Sequence, residues 1–152
     1  MPTPDLLDPD MEHSLVLIKP DGYARGLTGE VLRRIEAKGY ALKGLKIKVA
    51  SRELLEQHYV EHKDRHFFEG LVDFMSSGPL VAVVVEGIRV IEGVRNLMGA
   101  TNPTLAAPGT IRGDLGRDWG SPVVHNIVHG SDSTTSADRE IALWFPELVF
   151  RD

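Results

Sequence analysis

The sequence contains no cysteine among its 152 residues. A disulfide scaffold, a thiolate nucleophile, a cysteine-bound iron–sulfur cluster and a cysteine zinc site are therefore excluded. No apolar run approaches the roughly 18 residues that a transmembrane helix requires. The N-terminus also lacks the basic and apolar regions of a secretory signal. We therefore expect a cytoplasmic protein that does not bind a membrane.

Three common motifs for phosphate, dinucleotide and acyl chemistry are also missing. No Gly-Lys dipeptide occurs, which excludes a Walker A loop. No two glycines are separated by a single residue, which excludes the Rossmann fingerprint. The G-x-S-x-G elbow of many hydrolases is absent as well. Any nucleotide that this protein binds must be held by another kind of site.

The composition is that of one ordinary globular domain. Hydrophobic residues make up 42% and charged residues 26% of the chain, and the net charge is −5. This mild acidity argues against dedicated nucleic-acid binding. Residues 1–12 contain three prolines and four acidic residues, which predicts a flexible lead-in that joins no core. We expect residues 13–152 to form a single domain.

Hydrophobic periodicity predicts the element order β-α-β-α-α-β-α-loop-β-α. Thr28 and Ser51 are the expected N-caps of two of the helices, and Gly39 is expected to follow the end of the first helix. The loop over residues 99–122 is long enough to suggest a functional role. The order indicates an α/β (α+β sandwich) fold of the ferredoxin-like, split βαβ type, with a four-stranded antiparallel sheet covered by helices. The predicted strands are residues 15–18, 45–49, 80–85 and 123–128.

His129 begins a polar cluster where the last predicted strand ends. A neutral imidazole is a competent nucleophile toward phosphorus, and its phosphorylated form can pass the group on. Attack through one ring nitrogen requires a partner that fixes the other, and Glu140 on the next helix is the candidate. The alternative is a histidine at a strand end whose hydrogen bonds are satisfied by Ser131 or Asp132.

Phosphoryl transfer also needs cations around the phosphates. Lys19, Arg95 and Arg112 each lie in or near a break in the hydrophobic periodicity, although a solvated surface cation is the alternative for each. Phe67 could stack on a base, or it could be a core aromatic residue of its helix.

A histidine metal site is a rival interpretation of another segment. His58, His62 and His66 are spaced i, i+4, i+8 and would share one face of an unbroken helix. The intervening segment is highly charged and could instead be a solvated surface, which is the reading we favour.

The sequence as a whole resembles the nucleoside diphosphate kinase family. The segment Asn126-x-x-His129-Gly130-Ser131-Asp132-Ser133 resembles the active-site signature of that family. Further segments resemble family motifs in the family order, from about Ser14 to Phe145. They are Leu17-Ile18-Lys19-Pro20-Asp21-Gly22, Arg25-Gly26-Leu27, His58-Tyr59, Lys63-Asp64-Arg65, Phe67-Phe68, Ser77-Gly78-Pro79, Gly99-Ala100-Thr101-Asn102-Pro103 and Pro108-Gly109-Thr110-Ile111-Arg112-Gly113-Asp114.

The resemblance implies a ping-pong kinase in which a nucleoside triphosphate, mainly ATP, phosphorylates His129 and a nucleoside diphosphate then takes the phosphoryl group. It implies that Glu140 and Ser131 support the ring of His129, and that Lys19 takes part in catalysis. The cofactor implied is Mg²⁺, held mainly through the nucleotide phosphates, with no metal site built from protein side chains. A homo-oligomer, tetramer or hexamer, is implied as well. The implied nucleotide-binding residues are Lys19, Tyr59, Arg65, Phe67, Leu71, Arg95, Thr101, Arg112 and Asn126.

Two features depart from the family pattern. The stretch between Arg112 and His129 is about four residues longer than is common, and the extra residues fall near residues 116–122. Trp119 in this insertion could contact another subunit or fold back on its own loop. His66 stands where a proline is common. A non-catalytic nucleotide-binding or interaction subunit of the same fold therefore remains the alternative function.

Overall fold

The computed structural model of the protein describes residues 6–150. Six strands and seven helices follow one another along these residues, and a short 3-10 turn over Val60–His62 separates two of the helices. The strands are β1 (Leu6–Leu7), β2 (Glu12–Ile18), β3 (Ala41–Lys48), β4 (Leu80–Gly87), β5 (Val128–Gly130) and β6 (Val149–Phe150). The helices are α1 (Pro20–Ala24), α2 (Thr28–Ala37), α3 (Arg52–His58), α4 (Phe68–Met75), α5 (Val90–Met98), α6 (Ile111–Leu115) and α7 (Thr134–Trp144).

Four of the strands form one antiparallel sheet in the order β3-β4-β2-β5. Leu17 on the central strand β2 pairs with Ala82 on one side and with His129 on the other. The pairing therefore attaches the polar end of β5 directly to the most buried strand of the sheet. The predicted fold class, a ferredoxin-like four-stranded antiparallel sheet with helices, is confirmed.

Alternate residues of β2 belong to two separate apolar cores, one on each face of the sheet. Leu15 and Leu17 pack into a cluster that contains Trp144. Val16 and Ile18 pack into a second cluster. This alternation follows from the two-residue period of a strand, and it explains why β2 reads as a continuous apolar run. A strand fixed on both faces is a rigid support for the residues that follow it.

The observed N-terminal ends of the helices match the predicted ones only in part. Ser51 caps α3 and accepts a hydrogen bond from the backbone N–H of Leu54, as predicted. Thr28 was predicted as the N-cap of α2, but it is the first helical residue and Leu27 takes the cap position without a side-chain hydrogen bond. The segment from Lys19 onward forms the short helix α1, with Pro20 in its first turn, rather than a simple turn.

The long loop and the last large strand differ from the prediction. The loop contains helix α6, which Thr110 caps by accepting a hydrogen bond from Gly113 N–H. The strand predicted over residues 123–128 is β5, which spans only Val128–Gly130. The apolar run failed as a guide because Ile127 has a positive φ of 73°, which interrupts extended backbone.

Strand β3 alternates as predicted but has the opposite orientation. Leu45 and Ile47 are 53% and 62% exposed. Lys46 instead faces the protein, with its ammonium 4.6 Å from the ring centre of Phe145. Long lysine stems can cover aromatic surface while their charge stays near water. The apolar side chains of this edge strand therefore point outward.

The N-terminal segment also differs from the expectation that residues 1–12 join no core. Residues 1–5 lie outside the described residues. Strand β1 pairs in parallel with β6, and Leu7 is 1% exposed within the core that contains Trp144. Among residues 6–150, no helix has the length and apolar character that crossing a membrane would require.

Candidate active site

A cleft of about 390 Å³ opens beside β5. It lies where α3, α5, α6 and α7 approach the ends of β2 and β5, so residues distant in sequence share its walls. The predicted site residues that line it are Lys19, Tyr59, Arg95, Thr101, Arg112, Asn126, His129 and Glu140.

His129 projects from β5 with a buried carboxylate behind its ring. Its Nε2 lies 3.2 Å from Oε1 of Glu140, and Glu140 is 5% exposed. The Ser131 hydroxyl donates to the same Oε1 at 2.7 Å and accepts a hydrogen bond from Leu15 N–H at 2.9 Å. A carboxylate oxygen only accepts, so Nε2 carries the ring proton in the neutral imidazole. Nδ1 is therefore left with its lone pair, which is the condition for a nucleophile.

Lys19 is the cation at the end of β2. Its ammonium donates to Oδ1 of Asn126 at 2.8 Å. Burial, and next the positive charge of Arg112, lower the pKa of Lys19 to about 8, although Asp21 acts in the opposite direction. A lysine held among other cations without enough negative charge is suited to binding an anion.

Arg112 occupies a buried position on α6 and connects three parts of the chain. Its guanidinium donates to the carbonyls of Gly99 at 2.9 Å, Asn126 at 3.2 Å and Val128 at 2.6 Å. Burial, and then the charge of Arg95, lower the pKa of Arg112 to about 10. It therefore fixes the floor of the cleft and adds positive charge to it.

Asn126 connects Lys19 to Thr101, and Tyr59 lies on the wall of the same cleft. Asn126 donates from its amide nitrogen to the carbonyl of Thr101 at 2.9 Å, which fixes which of its amide atoms faces Lys19. Burial raises the pKa of the Tyr59 hydroxyl well above its usual range, with a smaller effect from Glu140. Tyr59 therefore offers a neutral hydroxyl to the cleft at any physiological pH.

Four predicted site residues lie outside the walls of this cleft in the described part of the chain. Ser131 is behind Glu140, which it contacts. Phe67 is 41% exposed, and its ring centre is 5.5 Å from that of His62, a wall residue. Arg65 is exposed, and Leu71 packs against a core cluster. The structure therefore brings the phosphate-directed residues together and leaves Phe67 beyond the rim.

The rival interpretation, a metal site of His58, His62 and His66 on one helix face, does not match the structure. Helix α3 ends at His58, and His62 lies in the following 3-10 turn, so the three histidines do not share a helical face. Among the described residues, the group close enough to share an ion is His58, His129 and Glu140, whose ligand atoms lie within 4.8 Å of one another.

The hydrogen bond of His58 argues against a metal at that group as well. Trp144 Nε1 donates to Nδ1 of His58 at 3.1 Å. An indole N–H can only donate, so a neutral His58 must carry its proton on Nε2 and has no lone pair there for a metal. Burial is the largest cause that lowers the pKa of His58 to about 2, followed by His129. His58 is a neutral ring that packs edge-on against His129, with centres 4.8 Å apart.

Sequence reasoning did not assign a site role to several wall residues. Asp132, Glu61 and Arg139 line the cleft, as does His58 in a role other than metal binding. Arg139 donates to the carbonyl of His58 at 3.2 Å and so ties α7 to the end of α3. The sequence position of Arg139 could have indicated this role. A charged residue that directly precedes a buried carboxylate such as Glu140 must face the cleft or solvent.

The inserted loop folds back on its own chain. The guanidinium of Arg117 lies 4.2 Å from the ring centre of Trp119, and that of Arg25 lies at 5.7 Å. Trp119 is still 51% exposed. The insertion lines a separate groove and none of its residues lines the cleft beside His129.

Comparison with known proteins gives one consistent result. The family model "Nucleoside diphosphate kinase" matches residues 12–149. A protein of that name from Acaryochloris marina is 57% identical over 142 residues, which cover 93% of each chain. A cytosolic nucleoside diphosphate kinase from Dictyostelium discoideum is 55% identical over 93% of this chain and 89% of its own length.

Solved structures agree with that result. A halophilic nucleoside diphosphate kinase from Halobacterium salinarum in complex with CDP superposes with a TM-score of 0.85 at 49% identity, over 93% of each chain. A Borrelia burgdorferi structure, described as a transition-state mimic with bound vanadate and ADP, gives 0.83 at 37% identity, over 89% of this chain and 87% of the other.

Proposed function

This chain belongs to the nucleoside diphosphate kinase family, and from that premise we propose how its own residues carry out the reaction. The enzyme transfers the terminal phosphoryl group of a nucleoside triphosphate, mainly ATP, to a nucleoside diphosphate through a phosphohistidine at His129. The observation that carries the assignment is the contact between His129 Nε2 and Glu140, beside a cleft walled by Lys19, Arg95 and Arg112.

His129 is the nucleophile. Its Nδ1 lone pair attacks the terminal phosphorus, the N–P bond forms, and the bond from phosphorus to the bridging oxygen breaks, which releases a nucleoside diphosphate. The ring keeps its Nε2 proton and becomes positively charged. Glu140, which accepts that N–H, stabilises the charge where it develops, and Ser131 holds the carboxylate in place. A second nucleoside diphosphate then reverses these steps.

The cations of the cleft bind and orient the phosphates. Lys19, Arg95 and Arg112 neutralise the charge that spreads over the transferred group, which is the main requirement of phosphoryl transfer. Asn126, which also bonds to the carbonyl of Thr101, fixes the position of the Lys19 ammonium. We assign Lys19 a catalytic part because its ammonium donates to Asn126, three residues before His129.

The cleft suits a magnesium ion that is carried mainly by the nucleotide. Mg²⁺ prefers one or two carboxylates together with substrate phosphates. Glu140 is already bonded to His129 and Ser131, whereas Asp132 and Glu61 are exposed carboxylates on the wall. When bound, the ion would screen the charges of the phosphates from one another.

The nucleoside is assigned to the rim. Phe67 would stack on the base and Leu71 would support that ring from α4, a contact that tolerates every base because each has a π-face. Tyr59 and Arg65 would contact the sugar and phosphates from the segment between α3 and α4. We expect this arrangement to select weakly among bases, and the proposed partners are nucleoside tri- and diphosphates.

We further propose that this chain is a cytoplasmic homo-oligomer, tetramer or hexamer, in which residues 13–152 form one domain that β1 also joins through Leu7. The exposed apolar side chains of Leu45, Ile47 and Val49 on and after the edge strand β3 support a contact between copies. An uncovered edge strand with an apolar face would otherwise promote aggregation. The relative named as cytosolic supports the location.

Mass spectrometry at mildly alkaline pH tests the function directly, since phosphohistidine is labile in acid. After mixing with ATP and Mg²⁺, we expect one additional phosphoryl group per chain, located at His129 and discharged by GDP. The His129→Ala variant is expected to gain none. An unmodified chain that still binds ADP by calorimetry would instead support the alternative, a non-catalytic nucleotide-binding subunit.

A further inference from the structure

Ile127, two residues before His129, has a backbone conformation that a β-branched residue rarely adopts. Its φ is +73°, and the N–H of Val128 donates to the carbonyl of Asn126 at 2.8 Å. A hydrogen bond between residues i and i+2 around a residue of positive φ defines a γ-turn, a rare and strained arrangement. Such strain persists only where the surrounding structure imposes it.

The surrounding structure is the segment that begins α1. Lys19 N–H donates to the carbonyl of Ile127 at 2.7 Å, and Oδ2 of Asp21 accepts from Ile127 N–H at 3.1 Å. Both backbone polar groups of Ile127 are therefore held by residues of this one segment. We call Lys19, Asp21 and Gly22 the turn clamp.

Gly22 completes the clamp by allowing close approach. A Cβ added there would lie 3.0 Å from Cγ2 of Ile127 and 3.2 Å from its carbonyl oxygen. Ile127 itself is fully buried, so its side chain has little room to give way. Helix α1 therefore contacts the turn through backbone at a distance that a side chain would prevent.

The γ-turn controls two groups of the active site at once. On one side, Asn126 accepts from Lys19 and donates to Thr101. On the other side, Val128 begins the strand that carries His129. A change in the direction of the chain at Ile127 would move the amide of Asn126 and the imidazole of His129 relative to each other.

Asp21 is not placed for stability alone. Its Oδ1 is buried and has no hydrogen-bond partner within residues 6–150. An unpaired buried carboxylate oxygen destabilises a fold, so an apolar residue would be expected here if packing were the only requirement.

We propose that Asp21 is a positioning residue for phosphorylation of His129, because its carboxylate holds the strained turn at Ile127 that aligns His129 with Asn126 and Lys19. This inference rests on the proposed function, since it concerns the rate of the same phosphoryl transfer. Asp21 touches neither the substrate nor the reacting atoms. It acts through the N–H of Ile127.

Three substitutions separate the hydrogen bond from the charge. Asp21→Asn keeps an oxygen that can accept from Ile127 N–H but removes the charge. Asp21→Glu keeps the charge but displaces the oxygen by one methylene group. Asp21→Ala removes both. Single-turnover phosphorylation of His129 at saturating ATP gives the rate constant for each, and calorimetric titration with ADP gives its dissociation constant.

We expect Asp21→Ala and Asp21→Glu to lower the rate constant roughly 10- to 100-fold, because small misplacements of reacting groups are costly in rate. Asp21→Asn should stay within about threefold of the unaltered protein at pH 6.5, where Lys19 stays protonated although the Asp21 charge that raises its pKa is removed. The dissociation constant of ADP should change less than the rate constant, since Arg95 lies on α5 and Tyr59 follows α3, so neither is held by the turn at Ile127.

Asp118→Ala is the matched control, because Oδ1 of Asp118 also accepts a backbone N–H, that of Gly120, in an exposed loop outside the cleft. It should not change the rate. If Asp21→Ala does not fold, the comparison of Asp21→Asn with Asp21→Glu still shows whether the hydrogen bond or the charge of Asp21 determines the rate. Equal rates for those two folded variants, or a slow Asn and a fast Glu, would overturn the inference. Failure of the unaltered protein to form phosphohistidine would overturn the proposed function instead.

Discussion

Oε1 of Glu140 lies 3.2 Å from Nε2 of His129, on the side of the imidazole that faces the protein interior. The other ring nitrogen is thereby left to face the cleft. This single contact fixes the tautomer, the orientation of the ring and the location of the charge that balances an imidazolium.

Removal of the Glu140 carboxylate should therefore slow phosphorylation without abolishing it. We expect Glu140→Ala to lower the single-turnover rate constant on the order of 10²-fold, since the nucleophile remains but its orienting partner is lost. Ser131→Ala should cost less, because it removes only the group that holds Glu140. Quenched-flow measurement of phosphohistidine provides the rate.

Asp138→Ala is the control for this pair, because Asp138 is an exposed carboxylate on the same helix, α7. It should leave the rate unchanged. A Glu140→Ala variant as fast as the unaltered protein would contradict the role given to the carboxylate.

The lowered pKa of Lys19 predicts proton uptake when nucleotide binds. Lys19 in the nucleotide-free protein loses its proton near pH 8. Phosphate oxygens favour the protonated form and raise that pKa, so binding of ADP at pH 8.5 should take up protons and weaken as the pH rises further. Calorimetry in buffers of different ionisation enthalpy measures this uptake.

Lys19→Arg serves as the comparison, since a guanidinium stays protonated over the whole range. Its binding should show less proton uptake at pH 8.5. Equal uptake by the two proteins would show that another group titrates.

The same pKa has a consequence for stability. The pKa of Lys19 is about 8 in the folded protein and 10.5 in the reference state. Between these values the unfolded chain binds more protons, so this residue makes the free energy of unfolding rise with pH over that window. Chemical denaturation of the nucleotide-free protein at pH 8 and pH 10 should show this contribution, and Lys19→Met should reduce it.

Trp144 keeps His58 from becoming a metal ligand, and Trp144→Phe tests this. The substitution leaves Nδ1 of His58 without its donor, and should lower the free energy of unfolding by about 1–3 kcal/mol. It also permits the other tautomer of His58, whose ligand atom lies within 4.8 Å of those of His129 and Glu140. Zinc should then inhibit the variant more strongly than the unaltered protein.

Trp119→Phe is the matched control, because Trp119 is the exposed tryptophan of the inserted loop. It should change neither zinc sensitivity nor stability by a comparable amount. Identical zinc inhibition of the unaltered protein and Trp144→Phe would contradict the tautomer argument.

The apolar face of β3 predicts where copies of the chain meet. Ile47→Lys places a charge in the middle of that face and should shift the mass measured by light scattering toward smaller species. Ile88→Lys is the control, since Ile88 is 77% exposed in the turn after β4. An unchanged mass for Ile47→Lys would exclude β3 from the contact.

Hydrophobic patterns along the sequence predicted the strands and helices whose burial follows directly from those patterns. Strand β4 was found because a continuous apolar run matches its burial in the sheet, and helix α7 because a helical repeat of apolar residues matches the one face that it buries. Trp144, at the end of α7, and Phe145, which follows it, are 1% and 2% exposed. The chemistry of a histidine followed by a carboxylate eleven residues later predicted the contact of His129 with Glu140.

Long-range contacts determined what local patterns missed. Ile127 has the composition of a strand residue, yet contacts from the distant Lys19 and Asp21 force it into a turn. The alternation of β3 by itself would direct Lys46 to solvent, but aromatic residues about a hundred positions later give it a surface to cover. Such relations depend on which segments meet in space, and a single sequence does not state them.

The crowding of Lys19 and Arg112, each with a lowered pKa, also bears on how the protein survives in a cell. The positive charges of Lys19 and Arg112 repel each other in the nucleotide-free protein. The negative phosphates of a bound substrate offset this repulsion. Arg112 joins the backbone at Gly99, Asn126 and Val128, so an anion bound to it tightens three segments at once. Bound nucleotide should therefore make this region more resistant to proteolysis. A cell with little nucleotide should degrade the enzyme faster.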